Sequence, residues 1–441
     1  MDSKNIHFIA IGGAIMHYLA IDLKKNGHRV TGSDDVLFDP AKSNLAKEHL
    51  LPKKLGWDEK NIHPKLDLVI LGMHAKKNNV ELQKAISLGL KIQSFPEYVA
   101  QRSKNKIKIV IAGSHGKTTI TSMVMHILKK QNLHFDYLVG AKLKGFERMV
   151  KISQAPIIVI EGDEYLTSAL DRKSKFLWYQ PNILIISGIA WDHMNVFPTF
   201  EDYTNTFKKL VHENPDAQII YYEHDNHLKE IVSQAKNTTQ VPYKALPFVA
   251  EENGLKIYNS SYPIFGEHNV SNLSGAIQVC KSLGIKESQS LSAIKSYSGA
   301  SLRLEKIFAS KTSVVFRDFA HAPSKVKATV EAIQLHFSSK HILAVLELHT
   351  YSSLQNDFLT QYKGSLNGAD QKIIFIHREN LIKKGSEEKI DNTLLQNVFG
   401  KDCFICYQAK QIQTLVNKFA LKKSAIVLMS SGNFGGIRWE F

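Results

Sequence analysis

Short runs of apolar, β-branched residues recur along the chain, separated by helix-length amphipathic stretches: "IHFIAI", "DLVILG", "KIKIVIAG", "PIIVIEGDE", "NILIISGIA", "QIIYY", "HILAVLEL", "KIIFIH" and "SAIVLMSSG". A strand with one face in water alternates apolar and polar residues. These runs do not alternate, so both faces must be covered, which parallel sheets achieve by folding crossover helices onto each side. The expected fold class is α/β. A chain of 441 residues exceeds what one core supports, so several such sheets are expected. Polar "QRSKNK" (Gln101 to Lys106) and "YSGASLR" (Tyr297 to Arg303) interrupt the pattern. They divide the chain into segments 1–103, 104–299 and 300–441.

Lys and Arg number 56 against 41 Asp and Glu, a formal charge of +15 that favours an anionic partner. The cations are scattered rather than gathered with aromatics, so a small phosphorylated substrate is expected and nucleic acid is not. Three cysteines, Cys280, Cys403 and Cys406, cannot build a disulfide framework, which points to a reducing compartment. The C-x-x-C pair in "DCFICYQ" has no second pair nearby and alternates like a strand, so it reads as structural. The N-terminal apolar stretch is broken by His7, Gly12, Gly13 and His17, and no run reaches the ~18 residues of a membrane span. A cytoplasmic protein without a membrane partner is expected, as a monomer or weak homodimer.

Strand-end motifs carry the chemistry. In "FIAIGGAIMHYLAIDLKKNGHRVTGSDD" a Gly12-Gly13 turn joins strand to helix, and a second strand ends at Ser33-Asp34. Such a turn lets backbone amides approach a diphosphate, and the acid can bond a ribose. Ala10 and Ile15 stand where G-x-G-x-x-G has glycines, so a tight turn without a ligand stays open. In "IVIAGSHGKTTITSM" a strand enters a tight loop and a helix: Lys117 would face a triphosphate and Thr118 would offer a hydroxyl to Mg²⁺. Ile111 replaces the first glycine of the usual phosphate loop. Two further strands end in Glu161, Asp163 and Glu164, and in Asp192-His193, where ligands bind in open α/β sheets and where Mg²⁺ finds carboxylate oxygens. "GEHNVSNLSGA", "SLRLEK" and "RDFAHAPSKV" follow, each also readable as a capped helix start or turn.

Taken in order, these pieces resemble the Mur ligase family, over essentially the whole chain. The family's loop G-[TS]-x-G-K-[TS]-[TS] matches Gly113, Ser114, His115, Gly116, Lys117, Thr118 and Thr119. Its strand-end Glu matches Glu161, its D-H pair Asp192-His193, its H-N-x-x-N His268, Asn269 and Asn272, its Arg Arg303, and its D-[YF]-[AG]-H Asp318 to His321. The resemblance implies a three-domain architecture: a Rossmann-like UDP-sugar domain, a central ATPase domain and a Rossmann-like C-terminal domain that takes the incoming amine and closes on ATP. It implies catalytic roles for Lys117, Glu161 and His193, and Mg²⁺ on Thr118, Glu161 and His193. ATP would be held by the loop residues with His268, Asn269, Asn272, Arg303, Asp318 and His321. The UDP-sugar would be held by Gly12, Gly13, Ala14, Ile15, Met16, Ser33, Asp34 and His74.

Within the family the similarity is to the branch that acts on UDP-N-acetylmuramate itself. "EGDEYLTSALDRKSKFLWYQP" and "MSSGNFGGI" are similar to members that attach the tripeptide L-alanyl-γ-D-glutamyl-meso-diaminopimelate through an acyl phosphate, in peptidoglycan recycling. Members that attach L-alanine instead carry H-R-Y-T-R where this chain has "LHTYSSL" (Leu348 to Leu354). L-alanine addition is the alternative. Gly162, Ala322 and Leu302 depart from the family pattern, and Phe207 stands where several members have a carbamoylated lysine.

Overall fold

Each apolar run is a strand. The computed structural model describes residues 3–191, 196–235, 238–299, 302–377 and 390–441. Near the N-terminus, β1 (Asn5–Ile9), β2 (Arg29–Ser33), β3 (Leu68–Leu71) and β4 (Ile92–Ser94) form a four-stranded sheet in the order β2-β1-β3-β4. All its pairings are parallel. Between the strands run α1 (Ala14–Lys25), α2 (Ala41–Lys47) and α3 (Val80–Ser87), and α4 (Phe95–Arg102) follows β4. Ile9, Val69 and Leu71 meet Leu82 and Ala85 of α3 in one apolar cluster. The polar stretch from Gln101 to Lys106 is the end of α4 and a turn.

The second sheet comprises β5 (Ile107–Ala112), β6 (Phe135–Leu138), β7 (Val150–Lys151), β8 (Ile157–Glu161), β9 (Ile183–Ile186), β10 (Gln218–Tyr222) and β11 (Gln240–Tyr243), ordered β11-β10-β9-β5-β8-β6-β7. Only β7 is antiparallel to its neighbour. Helices α5 (Lys117–Lys130), α6 (Phe200–His212) and α7 (Asn226–Ser233) connect the strands. Ile109, Val110 and Ile111 are fully buried, as their unbroken apolar run requires. β5 lies between β8 and β9, and the chain leaves it in opposite directions, so its C-terminal end is the switch point where open α/β sheets bind ligands.

By contacts the chain forms two compact units, one of Met1–Ile189, Phe200–Tyr243 and Gly275–Ser290, the other of Ala190–Thr199, Lys244–Ser274 and Leu291–Phe441. Both parallel sheets above lie in the first unit. Its α1 is tied to the β7 hairpin by buried Asp22, which accepts from Arg148 at 2.8 Å and from the Ile152 amide at 3.0 Å.

The second unit has a six-stranded sheet, β15-β16-β20-β17-β18-β19, and a three-stranded antiparallel one, β12-β13-β14. The small sheet is β12 (Phe248–Glu251), β13 (Gly254–Ile257) and β14 (Ser260–Tyr262). The large one is β15 (Glu305–Ala309), β16 (Val314–Asp318), β17 (His341–Glu347), β18 (Gln371–Phe375), β19 (Phe404–Cys406) and β20 (Ser424–Met429), parallel except for edge strand β15. Helices α8 (Glu267–Ser282) and α9 (Glu287–Ile294), whose stretch Gly275–Ser290 belongs to the first unit, precede it in sequence, and α10 (Pro323–His336) falls within it. Apolar clusters cover both faces of the large sheet. Cys403 and Cys406 are buried, free thiols, in keeping with a structural pair. The small antiparallel sheet departs from the all-parallel expectation. Its signal was Asn253-Gly254, a dipeptide suited to tight hairpins, with Gly254 at φ 140°.

Candidate active site

The phosphate loop is built by two glycines. Gly113 leaves β5 at φ 120°, and a Cβ there would lie 2.4 Å from the Ser187 hydroxyl. Gly116 caps α5 in the left-handed region (φ 75°). The turn aims the first amides of a 14-residue helix at one point, a natural anion seat. The shorter loop therefore needs no glycine at Ile111, which is fully buried in β5.

Lys117 starts that helix and folds back. Its ammonium donates to the Gly113 carbonyl at 2.6 Å and to Glu164 at 2.7 Å. Burial by itself would lower the Lys117 pKa, but Glu164, with Asp163 and Glu161 behind it, more than offsets this, so the pKa is raised and the ammonium stays charged. Thr118 donates to Glu161 at 2.7 Å, and the other Glu161 oxygen accepts the Gly140 amide at 2.8 Å. Among the described residues no group of three or more His, Cys, Asp or Glu forms a metal cage. Mg²⁺ does not need one, since it takes one or two protein oxygens and completes its shell with phosphate and water. The hard-oxygen pair Thr118 and Glu161, side by side next to the loop, fits that demand. Ser114 shares a 2.8 Å hydrogen bond with Tyr203, and the His115 carbonyl accepts from Ser187. Thr119 is buried in the first turn of α5. His193 and Asp192 lie outside the described residues.

Three carboxylates ending β8 thus have three partners. Glu161 meets Thr118, Asp163 meets Lys175 at 2.6 Å, and Glu164 meets Lys117. Tyr203 was not read from the sequence, and Glu164 was read only as one of three strand-end carboxylates. The strand-end cluster was visible, but which acid faces Lys117 depends on the turn after Glu161. Phe207 is fully buried, its ring edge-on to Phe176 and Tyr203.

At the N-terminal sheet, the Gly12 amide donates to Asp34 at 2.7 Å and the Asp35 amide to its other oxygen at 3.0 Å. The carboxylate expected to meet a ribose thus shapes the glycine turn, and burial raises its pKa. Gly13 caps α1, Ala14 is exposed and Ile15 half-buried in its first turn, and His74 is exposed in a turn after β3. Two residues expected at the UDP-sugar face inward instead. Met16 is buried, and Ser33, 1% exposed, donates to buried Glu81. Ser33 ends β2 and Asp34 follows it, so in extended backbone their side chains point to opposite faces and only one of them can face the turn. Ala10 takes φ +67°, the glycine conformation, without being glycine.

In the second unit, Asn272 donates to Asn269 at 3.1 Å, and Asn269 to the Phe265 carbonyl at 2.9 Å. Burial, with His336 nearby, pushes the His268 pKa down to about 4, so this imidazole is neutral. Arg303 lies over the Phe319 ring at 4.7 Å. Asp318 accepts the Leu304 amide at 2.7 Å and the Ala320 amide at 2.6 Å, with its pKa pushed up to about 6 by burial against the pull of Arg303. The His321 ring lies 2.7 Å from the Phe319 carbonyl. No helix among the described residues is long and apolar enough to cross a membrane.

Comparison with known proteins agrees with this geometry. Residues 5–106 match the Mur ligase family catalytic domain and residues 111–280 the Mur ligase middle domain. The UDP-N-acetylmuramate–L-alanine ligase of Caldicellulosiruptor bescii is 30% identical over 97% of this chain and 95% of its own. The UDP-N-acetylmuramate–L-alanyl-γ-D-glutamyl-meso-2,6-diaminoheptandioate ligase of Haemophilus influenzae is 26% identical over 98% of this chain and 97% of its own. The crystal structure of UDP-N-acetylmuramate-alanine ligase from Thermotoga maritima superposes with a TM-score of 0.74, at 20% identity, covering 98% of this chain and 97% of that one. The phosphate loop, the strand-end glutamate and these full-length likenesses have one explanation: the chain belongs to the Mur ligase family of peptidoglycan synthesis, whose members are ATP-dependent amide-bond-forming ligases.

Proposed function

We propose that this ligase joins UDP-N-acetylmuramate to the tripeptide L-alanyl-γ-D-glutamyl-meso-diaminopimelate. The observation that carries this reading is the segment after β17, Leu348-His349-Thr350-Tyr351-Ser352-Ser353, which has neither Arg nor Lys where alanine-adding members carry H-R-Y-T-R. Free L-alanine bears an α-carboxylate two bonds from its amine, and a site that selects it needs a cation there. In the tripeptide that carboxyl is a neutral amide. A carboxylate ends β17 instead: Glu347, 2% exposed, accepts from the Ser430 hydroxyl and from the Phe434 amide at 2.9 Å, with His349 at 3.8 Å. The turn from Glu161 to Trp178, closed by the Leu166–Ser174 bridge and the Asp163–Lys175 pair, carries the stretch resembling tripeptide-adding members.

In the reaction the muramate carboxylate attacks the γ-phosphate of ATP, breaking its bond to the β,γ-bridging oxygen so that ADP leaves and an acyl phosphate forms, and the amine then displaces phosphate from that acyl phosphate. Two anions must meet in line, so positive charge and donors must be in place beforehand. Lys117 and the amides from Gly113 to Lys117 supply them to the phosphates. Thr118 and Glu161 would hold Mg²⁺, with His193 as a further ligand, and Gly140 orients Glu161. When bound, Mg²⁺ would neutralise phosphate charge and polarise the γ-phosphoryl group. We assign Gly12, Gly13 and Asp34 to the turn that meets the UDP-sugar.

The test is phosphate release with ATP, Mg²⁺ and UDP-N-acetylmuramate, comparing the tripeptide with L-alanine as amine. The tripeptide should give the higher kcat/KM. A preference for L-alanine would overturn the assignment in favour of the alanine-adding reaction.

A further inference from the structure

We propose that Glu164 is a positioning residue for the phosphate-loop lysine: an internal anion that holds Lys117 over the loop and competes with the triphosphate for it. The inference rests on the loop being the triphosphate seat. Glu164 has a fully buried side chain, and one of its oxygens lies 2.7 Å from the Lys117 ammonium. The other accepts the Tyr203 hydroxyl at 3.2 Å, and Tyr203 bonds Ser114 of the loop at 2.8 Å. Tyr203 is itself fully buried and packs edge-on against Phe207, so the carboxylate is aimed from a rigid base. Ser114, Tyr203, Glu164 and Lys117 therefore form one closed chain of contacts, from the loop's second residue round to its lysine.

This chain does two opposing things. It fixes the rotamer of a long, flexible side chain before substrate arrives, which favours an aligned ammonium when the phosphoryl group moves. It also places a negative charge beside the point where the γ-phosphate must sit, so the nucleotide must draw Lys117 away from an existing partner. Neither Glu161, engaged by Thr118 and Gly140, nor Asp163, engaged by Lys175, faces the ammonium in this way. A purely structural carboxylate would give only the first effect, through stability.

The experiment uses the full chain with Glu164→Gln, titrated calorimetrically with the non-hydrolysable analogue AMP-PNP and Mg²⁺, alongside steady-state kinetics in ATP. Removing the charge should tighten AMP-PNP binding roughly ten-fold and lower kcat by a similar factor, so that kcat and the KM for ATP fall together. Glu164→Asp keeps the charge and should restore the unaltered protein's affinity. Tyr203→Phe keeps the ring, removes the hydroxyl and should shift both constants in the same direction by less, which preserves the test should the glutamine variant fold poorly. Unchanged or weaker AMP-PNP binding by folded Glu164→Gln and Tyr203→Phe would overturn the proposal. Failure of the unaltered protein to bind AMP-PNP would instead fault the loop assignment, and the proposal would fall with it.

Discussion

Replacing Glu81 should loosen the N-terminal sheet and, through it, the glycine turn assigned to the UDP-sugar. Glu81 sits on α3 with no solvent exposure. One oxygen accepts the Asp58 amide at 3.0 Å and the Asn61 amide group at 2.8 Å; the other accepts the Ser33 hydroxyl and lies 3.4 Å from His7. Burial would raise its pKa, but the bonds from His7, Ser33, Asn61 and the Asp58 amide outweigh that and hold it below the ordinary value. The stabilisation is therefore present above the unfolded carboxyl pKa and is lost as pH falls through the lower, folded one. Each hydrogen bond to a charged group contributes about 1.5–3 kcal/mol and the four share one acceptor, so Glu81→Ala, which leaves the buried Ser33 and His7 and the donors of the exposed Asp58 and Asn61 without it, should cost roughly 4 kcal/mol. Glu81→Gln keeps one oxygen for Asp58 and Asn61 and turns an NH₂ toward Ser33 and His7, both of which can accept, so roughly 1–2 kcal/mol is expected. Trp57, packed on the Ile9–Val69–Leu82 cluster next to Asp58, reports locally. Urea unfolding followed by ¹⁹F NMR of 5-fluorotryptophan-labelled protein reads its transition, and UDP-N-acetylmuramate binding should weaken in the same order. A loss below about 1 kcal/mol for Glu81→Ala, or unaltered UDP-sugar binding in a clearly destabilised variant, would refute the reasoning.

Three other outcomes are expected. Ala10→Gly should be within about 0.5 kcal/mol of neutral, because relief of φ +67° offsets a lost buried methyl, whereas Ala10→Val should cost about 2 kcal/mol or more; denaturant midpoints measure both. Gly140→Ala would place a Cβ 2.9 Å from Glu161, so the Mg²⁺ concentration for half-maximal phosphate release should rise while UDP-sugar binding is unaffected. Asp318 has a folded pKa raised to about 6, so its contribution is complete below the unfolded carboxyl value and is lost as pH rises through about 6. Asp318→Asn should flatten the pH dependence of stability across that window, as followed by thermal unfolding at fixed ionic strength.

Much of the fold was legible because unbroken apolar runs admit few alternatives to covered parallel strands. The small antiparallel sheet and edge strand β15 were not, since β12 and β15 are at most half-buried and β13 and β14 are only three or four residues long, so the pattern that marks a strand is weak there. The phosphate loop was legible because Gly113, Gly116, Lys117 and Thr118 act within seven consecutive residues. That the Ser33 and Met16 side chains turn inward was not legible, because adjacent residues on a strand, or successive ones in a helical turn, face different ways.

Local chemistry, then, belongs to the sequence: the strands, the loop that takes anions, and the presence of three carboxylates after β8. Only the tertiary structure decided their division of labour. Glu161, Asp163 and Glu164 lie within four residues of one another and are nearly alike in covalent terms. What separates them is which of Thr118, Lys175 and Lys117 the packed sheet brings within 2.7 Å of each, and hydrogen bonds and ion pairs are chosen at that range, by positions residues acquire only on folding.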